Sequence, residues 1–313
     1  MKTQASSHSF LHQRSVVCGL SSVSSPLTLL LVSLLLLAMP LSGHAEPFPF
    51  TTNSGALTGS NGTGVITVPP VEPPKYTYTT TDGAITLTKY LAEEGIVTIP
   101  ETIDGLPVTA IGPGAFLNCT RLSRVTIGNN VVNIGSNAFA NCTGLLNVTI
   151  DDSVTSIGDW AFHSCSSLTS LTLGKNVASI GEVAFAHCKS LTAVVIPDSV
   201  RHLGIGAFSS CSDLASVTIG RGVPHISHWA FNSCASLREI TIPDGVTSIG
   251  FKSFLNCTSL TSVSIGSSVK TIGDFAFSGC KNLESVSYKG STPQLGKFVF
   301  YNSPKVKQPN QRY

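Results

Sequence analysis

Eight cysteines stand at Cys119, Cys142, Cys165, Cys188, Cys211, Cys234, Cys257 and Cys280, each 23 residues after the one before. In an exported chain such a set invites a disulfide framework. The spacing argues for other chemistry. All eight occupy one position of a repeating unit, so their side chains stack in a column with Cβ atoms about 4.8 Å apart, one strand spacing. A disulfide needs roughly 3.5–4.5 Å. Buried free thiols acting as small apolar fillers are therefore expected. Stacked disulfides and a metal are the alternatives, the metal lacking C-x-x-C pairs or nearby histidines.

Three further sets carry potential chemistry. His202, His225 and His228 fall in adjacent units beside Arg201 and Arg221. They read as a solvated, mildly basic patch; the metal alternative lacks a carboxylate to complete it. Trp160 and Trp229 share one unit position just before Ala-Phe. They shield the core or, if exposed, offer rings on which a sugar can stack. The sequons at Asn118, Asn141, Asn147 and Asn256 arise mostly from a repeated Asn-Cys-Thr element, so repetition rather than selection for glycosylation accounts for them. No G-x-S-x-G elbow, H-E-x-x-H pair or P-loop occurs. Repetition also opposes an enzyme, because a catalytic site needs several unique residues converging at one place. No catalytic, metal or cofactor residue is expected.

The elements that position these groups follow from the same period. A phenylalanine stands three residues before each cysteine, from Phe116 to Phe277, and a leucine three after, from Leu122 to Leu283. The unit reads L-x-x-V-x-I-[GP]-x-x-V-x-x-I-G-x-x-A-F-x-x-C. Its V-x-I step alternates as a strand with one buried face does. Gly128, Pro197, Gly220 and Pro243 then turn the chain out of the strand. V-x-x-I-G makes a second extended or turning arm, and A-F-x-x-C has the spacing of a short helix or 3₁₀ turn. One unit cannot bury its own apolar face, so units stack and share a core. Before the first full unit, Tyr76–Thr79 and Ala84–Leu87 flank Asp82-Gly83, a hairpin signal that predicts the N-terminal cap. Extra residues around Asp104-Gly105 separate Ile99 from Ile111. At the other end Val299-Phe300 keeps the phase and Ser303 replaces the cysteine.

The leader divides into two parts. The apolar run Leu27 to Leu41 has the length of a signal-peptide core and is short for a membrane span. Gly43 and Ala45 supply small residues for cleavage after Ala45, giving a signal peptide over 1–45 and no membrane insertion once it is cleaved; an uncleaved anchor is the alternative. Cys18 precedes the run and so cannot be a lipidated cysteine after cleavage. Residues 46–75, with Pro69-Pro70 and Pro73-Pro74, read as a Pro/Gly-rich linker. The solenoid spans 76–303, with full repeats over about 97–303, and residues 304–313 form a polar tail.

These repeats resemble the BspA-type leucine-rich repeats, a 23-residue class found on bacterial surface and secreted proteins. Repeat length, phase and the I-G-x-x-A-F-x-x-C stretch all match over about residues 97–303. The resemblance implies an α/β leucine-rich-repeat solenoid of about eight to nine coils with a parallel sheet on its concave side. Members are typically surface antigens or adhesins that bind matrix proteins or cells. The family brings no invariant catalytic residues. No evident C-terminal anchor or sorting motif accompanies the repeats.

Charged residues make up 12% of the chain and the net charge is +2, too mild for a nucleic-acid footprint. On the predicted sheet face, Thr126, Thr149, Thr172, Val195, Thr218, Thr241, Ser264 and Ser287 form a mostly hydroxyl column. Strand propensity alone produces such a column. Charges at Arg124, Arg238, Glu239 and Glu284 interrupt the face beside it. They set partner choice or serve solubility and edge protection. The expected ligand-binding set is Arg124, Thr126, Thr149, Thr172, Thr218, Arg238, Glu239, Thr241 and Glu284. The reading is an exported, non-catalytic binding module whose sheet face engages a protein or glycan. The alternative is a self-assembling element of the cell envelope.

Overall fold

The computed structural model describes residues 75–306. The leader, all but the last residue of the linker and the end of the polar tail lie outside them. The described chain winds into about nine stacked coils, as the 23-residue period requires. From Arg124 onward each coil contributes a three- or four-residue strand, a two-residue strand and an arm of turns. Strands pair in parallel with those one coil away, Val125 with Val148 and Val148 with Leu171. From Val125 onward this 23-residue register holds wherever strands pair, so each column of the sequence pattern becomes a column in space.

The hairpin comes where Asp82-Gly83 places it. Tyr76–Thr81 and Ala84–Tyr90 pair antiparallel around Asp82 (φ 50°) and Gly83 (φ 74°), two consecutive left-handed residues as a type I′ turn demands. Ala84–Tyr90 then pairs in parallel with Leu106–Ile111 and so begins the two-residue-strand sheet. The extra residues around Asp104-Gly105 fold as a small antiparallel excursion, Thr102–Ile103 against Leu106–Pro107.

The core consists of stacked columns. Phe116, Phe139, Phe162, Phe185, Phe208, Phe231, Phe254, Phe277 and Phe300 are all buried. Their ring centroids lie 4.7 to 5.8 Å apart, with neighbouring planes within 16°. Burying a phenylalanine contributes about 1.5–3 kcal/mol, so this column is a main source of cohesion. Cys142 to Cys280 are buried free thiols, and only Cys119, on the first coil, is half-exposed. Each buried thiol donates to a phenylalanine carbonyl 26 residues earlier, as from Cys142 to Phe116 at 3.1 Å and Cys188 to Phe162 at 3.3 Å. Ser303, standing where a ninth cysteine would be, donates to the Phe277 carbonyl at 2.9 Å.

Of the two forms expected for the A-F-x-x-C stretch, the helix is corrected: the stretch forms successive turns, each closed by an amide onto the carbonyl three residues back. Two residues in each arm have left-handed backbone, two before and two after the phenylalanine, such as Asn137 (φ 58°) and Asn141 (φ 59°). Amides alternate accordingly. Those of Ala138, Ala140 and Cys142 close turns onto Gly135, Asn137 and Phe139, while those of Asn137, Phe139 and Asn141 donate to Asp159, Ala161 and His163 of the next coil at 2.7 to 2.9 Å. A helix would spend all these donors inside its own coil and leave the stack unstapled on this side.

The stack is not uniform. In the two-residue-strand sheet the ladder stops between His202–Leu203 and His225–Ile226. Along this edge the Thr155, Ala178 and Arg201 amides each donate one coil back, at 2.8 to 2.9 Å. The next such position is Pro224, which has no N–H to give. The Ile-Gly glycine is also replaced there, by Ser227. Elsewhere this glycine permits close approach: a Cβ on Gly204 would lie 2.3 Å from the Gly181 carbonyl carbon. Missing donor and added Cβ together account for the break.

Candidate functional site

The three- and four-residue strands also divide. Ala193–Val195 pairs with Ser216–Thr218, and Glu239–Ile242 pairs with Ser262–Ile265, but no ladder joins Ser216–Thr218 to Glu239–Ile242. The amide bonds from Ala215 to Thr192 (2.9 Å) and from Thr261 to Arg238 (2.8 Å) have no counterpart between Arg238 and Ala215. Val217 is correspondingly 9% exposed, against 1% for Val148 in the same column. A similar seam separates Ser170–Thr172 from Ala193–Val195. Nothing in the local sequence explains the two seams on this face.

Over the Ser216/Glu239 seam lies a trough of about 760 Å³. Its floor is Ser216, Val217, Thr218 and Ile219, and its further lining includes Glu239, Thr241, Arg221, Asp244 and Lys289. The hydroxyls of Thr218 and Thr241 face solvent because residues flanking a buried strand residue point outward. Asp244 is fixed by its fold position: its Oδ1 accepts from the Ser267 backbone N–H at 2.9 Å. That bond, with the positive charges of Lys289 and Arg221, holds the Asp244 carboxyl below the usual aspartate range. Two cations and two carboxylates thus share one depression with a hydroxyl floor.

Of the expected set, the trough gathers Thr218, Glu239 and Thr241. Arg124, Thr126, Thr149 and Thr172 are exposed on strands nearer the N-terminus, away from it. Arg238 is exposed but lines no part of it, and Glu284 forms an ion pair with Lys305 at 3.6 Å. Sequence reasoning missed Asp244 and Lys289, and placed Arg221 only in the basic patch. One signal was available: Lys289 and Asp151 are the two charged residues in a column that is Gly or Pro from Gly128 to Gly266 elsewhere.

The histidines form no ligand set. His202–Leu203 and His225–Ile226 are neighbours in the stack without a ladder between them, the His225 Nδ1 lies 2.9 Å from the Ser248 Oγ, and the His228 Nδ1 accepts from the Phe251 amide at 2.8 Å. Among the described residues no three metal-ligating side chains form a cluster. Trp160 and Trp229 are 42% and 41% exposed, so they do not close over the core.

Stacked parallel coils of one apolar pattern, with a broad outward strand face, define a leucine-rich-repeat solenoid. The chain belongs to the BspA type Leucine rich repeat family, whose model matches residues 97–214 and 179–307 in six copies. A leucine-rich repeat protein from Bacteroides ovatus has a similar structure, with a TM-score of 0.65 and 28% identity over 75% of this chain and 69% of that one. The T. pallidum leucine-rich repeat protein is 31% identical over 72% of this chain and 100% of its own, with a TM-score of 0.55. No curated protein matches.

Proposed function

We propose that the chain is an exported, non-catalytic binding module and that its strand face engages a protein partner at the trough over the Ser216/Glu239 seam. The observation that carries this reading is the meeting of Arg221, Lys289, Glu239 and Asp244 over a floor of strand hydroxyls. Four charges of both signs in one depression suit a partner whose own surface mixes acidic and basic groups. A neutral glycan would leave them unanswered. Adhesion at a cell surface is the physiological setting this reading favours, with Leu27 to Leu41 directing export and cleavage after Ala45.

The test has two parts. Secreted protein analysed by N-terminal sequencing should begin at Glu46. Immobilised chain should capture an extracellular protein saturably, and Glu239→Lys with Asp244→Lys should weaken capture by about tenfold or more, the scale of a lost hot spot. Capture unchanged by altering all four trough charges would remove the site.

A second reading, end-to-end assembly, rests on the last coil. The Phe275, Phe277 and Gly279 amides donate to the coil that follows them, whereas those of Phe298, Phe300 and Asn302 find no backbone acceptor among the described residues. Phe298 and Tyr301 beside them are 60% and 58% exposed. Concentration-dependent association in light scattering supports this reading; a monomer at every concentration removes it.

A further inference from the structure

The turn arms carry a second surface, remote from the strand face. Two residues before each core phenylalanine the backbone is left-handed and the side chain projects outward. The position holds Gly114, Asn137, Trp160, Val183, Gly206, Trp229, Lys252, Phe275 and Phe298, with φ between 53° and 64°. Left-handed backbone disfavours a bulky side chain and suits Gly or Asn. Tryptophan there adds backbone cost and places a large apolar ring in water, neither of which serves the fold.

Gly206 and Trp229 are neighbours in this column. The absent side chain of Gly206 opens a notch of about 320 Å³ between Val183 on one side and the Trp229 indole on the other. The notch follows the junction that Pro224 and Ser227 have loosened, where the Phe208 and Phe231 rings lie 5.7 Å apart, against 5.2 Å for Phe185 and Phe208. Phe251 meets Trp229 in a T-shaped contact at 5.7 Å from the following coil, which steadies the indole. The polar rim comprises His187, Ser209 and Asn232, with the Asn232 amide donating to the Ser209 Oγ at 3.2 Å. No lysine, arginine or carboxylate lines the notch.

We propose that this notch binds one ring of a neutral glycan, stacked on the Trp229 indole. A pyranose ring has an apolar face of C–H groups and an equatorial rim of hydroxyls. The first suits an exposed aromatic plane, whose face carries partial negative charge. The second suits neutral amide, hydroxyl and imidazole groups at one edge. Few polar groups around an apolar wall is the pattern of a small-ligand site. The absence of charge excludes phosphate, sulfate and uronate ligands as the favoured class, and sets the notch apart from the charged trough.

The test uses the full chain carrying Trp160→Phe, so that Trp229 is the only indole. Cellohexaose, maltohexaose and mannohexaose are titrated while tryptophan emission and heat are recorded. At least one should bind saturably and shift the emission. Gly206→Asn fills the notch with the residue that Asn137 places at the same position in another coil, so the left-handed backbone is kept. It should weaken binding by about tenfold or more, as should Trp229→Asn, while Glu239→Lys in the trough leaves it unchanged. If Gly206→Asn fails to melt cooperatively, Asn232→Ala replaces it and should also weaken binding. No response to any of the three sugars, or undiminished affinity in the filled or rim variant, overturns the proposal. So does a notch that takes only apolar peptides.

Discussion

The Cys211 thiol donates to the carbonyl oxygen of Phe185 at 3.2 Å, one rung of a ladder that repeats along the stack. Both groups are buried, so the thiol must stay protonated to make the bond. Burial pushes the Cys211 and Cys280 thiols from the ordinary value of 9.0 up to about 12, and it raises Cys142, Cys188, Cys234 and Cys257 as well.

Stability should therefore collapse in alkali. Below about pH 9 folded and unfolded chains both carry neutral thiols, and the contribution is complete. From pH 9 upward the unfolded chain releases protons that Cys211 and Cys280 of the folded chain keep until about pH 12. The loss is about 1.4 kcal/mol per thiol for each pH unit in that window. Denaturant melts from pH 8 to 11 should show the fall, and Cys211→Ala should make it shallower by one thiol. A flat profile would mean that the thiols titrate freely.

Thiol labelling should separate one cysteine of the solenoid from the rest. Iodoacetamide on the native protein at pH 8 is expected to modify Cys119, which is half-exposed, and to spare Cys142 through Cys280. Peptide mass spectrometry reads each site. Labelling of Cys188 at the rate of Cys119 would contradict the burial of the column.

Phe208→Ala should cost about 3–5 kcal/mol in denaturant melts, because it empties a fully buried ring site that has stacked neighbours on both sides. A cost below about 1 kcal/mol would place that ring outside the core.

Pro224→Ala should restore one rung of the broken ladder, with little net gain while Ser227 remains. The new amide can donate one coil back, contributing about 0.5–1.5 kcal/mol. Loss of the proline's restriction of the unfolded chain offsets this by about 0.4–1 kcal/mol. Hydrogen exchange is the sharper readout: the amide at 224 should be as protected as that of Thr247, which donates to Pro224 at 2.8 Å. Rapid exchange there would mean that Ser227 alone holds the strands apart.

The amino-acid sequence determined by itself what repetition can determine. A 23-residue period with Phe, Cys, Leu and Ile in fixed phase fixes coil length, parallel register and which side chains share the core, because no single unit buries its apolar face alone. Asp82-Gly83 likewise fixed the hairpin, since few residue pairs accept two left-handed conformations in succession. The form of the turn arm was not legible: spacing around Ala138-Phe139 and Cys142 suits a helix locally, and only the demand of the adjoining coil for hydrogen bonds converts it to alternating turns. Nor did the Thr column show where a site lies, since strand propensity writes hydroxyls along its whole length. Tertiary structure decided that by breaking the repeat. Where the ladder parts beside Ser216, and where Gly206 leaves one side of Trp229 open, residues from different coils meet across a gap. Such gaps depend on how far apart neighbouring coils settle, a distance set by packing of the whole stack rather than by any one repeat.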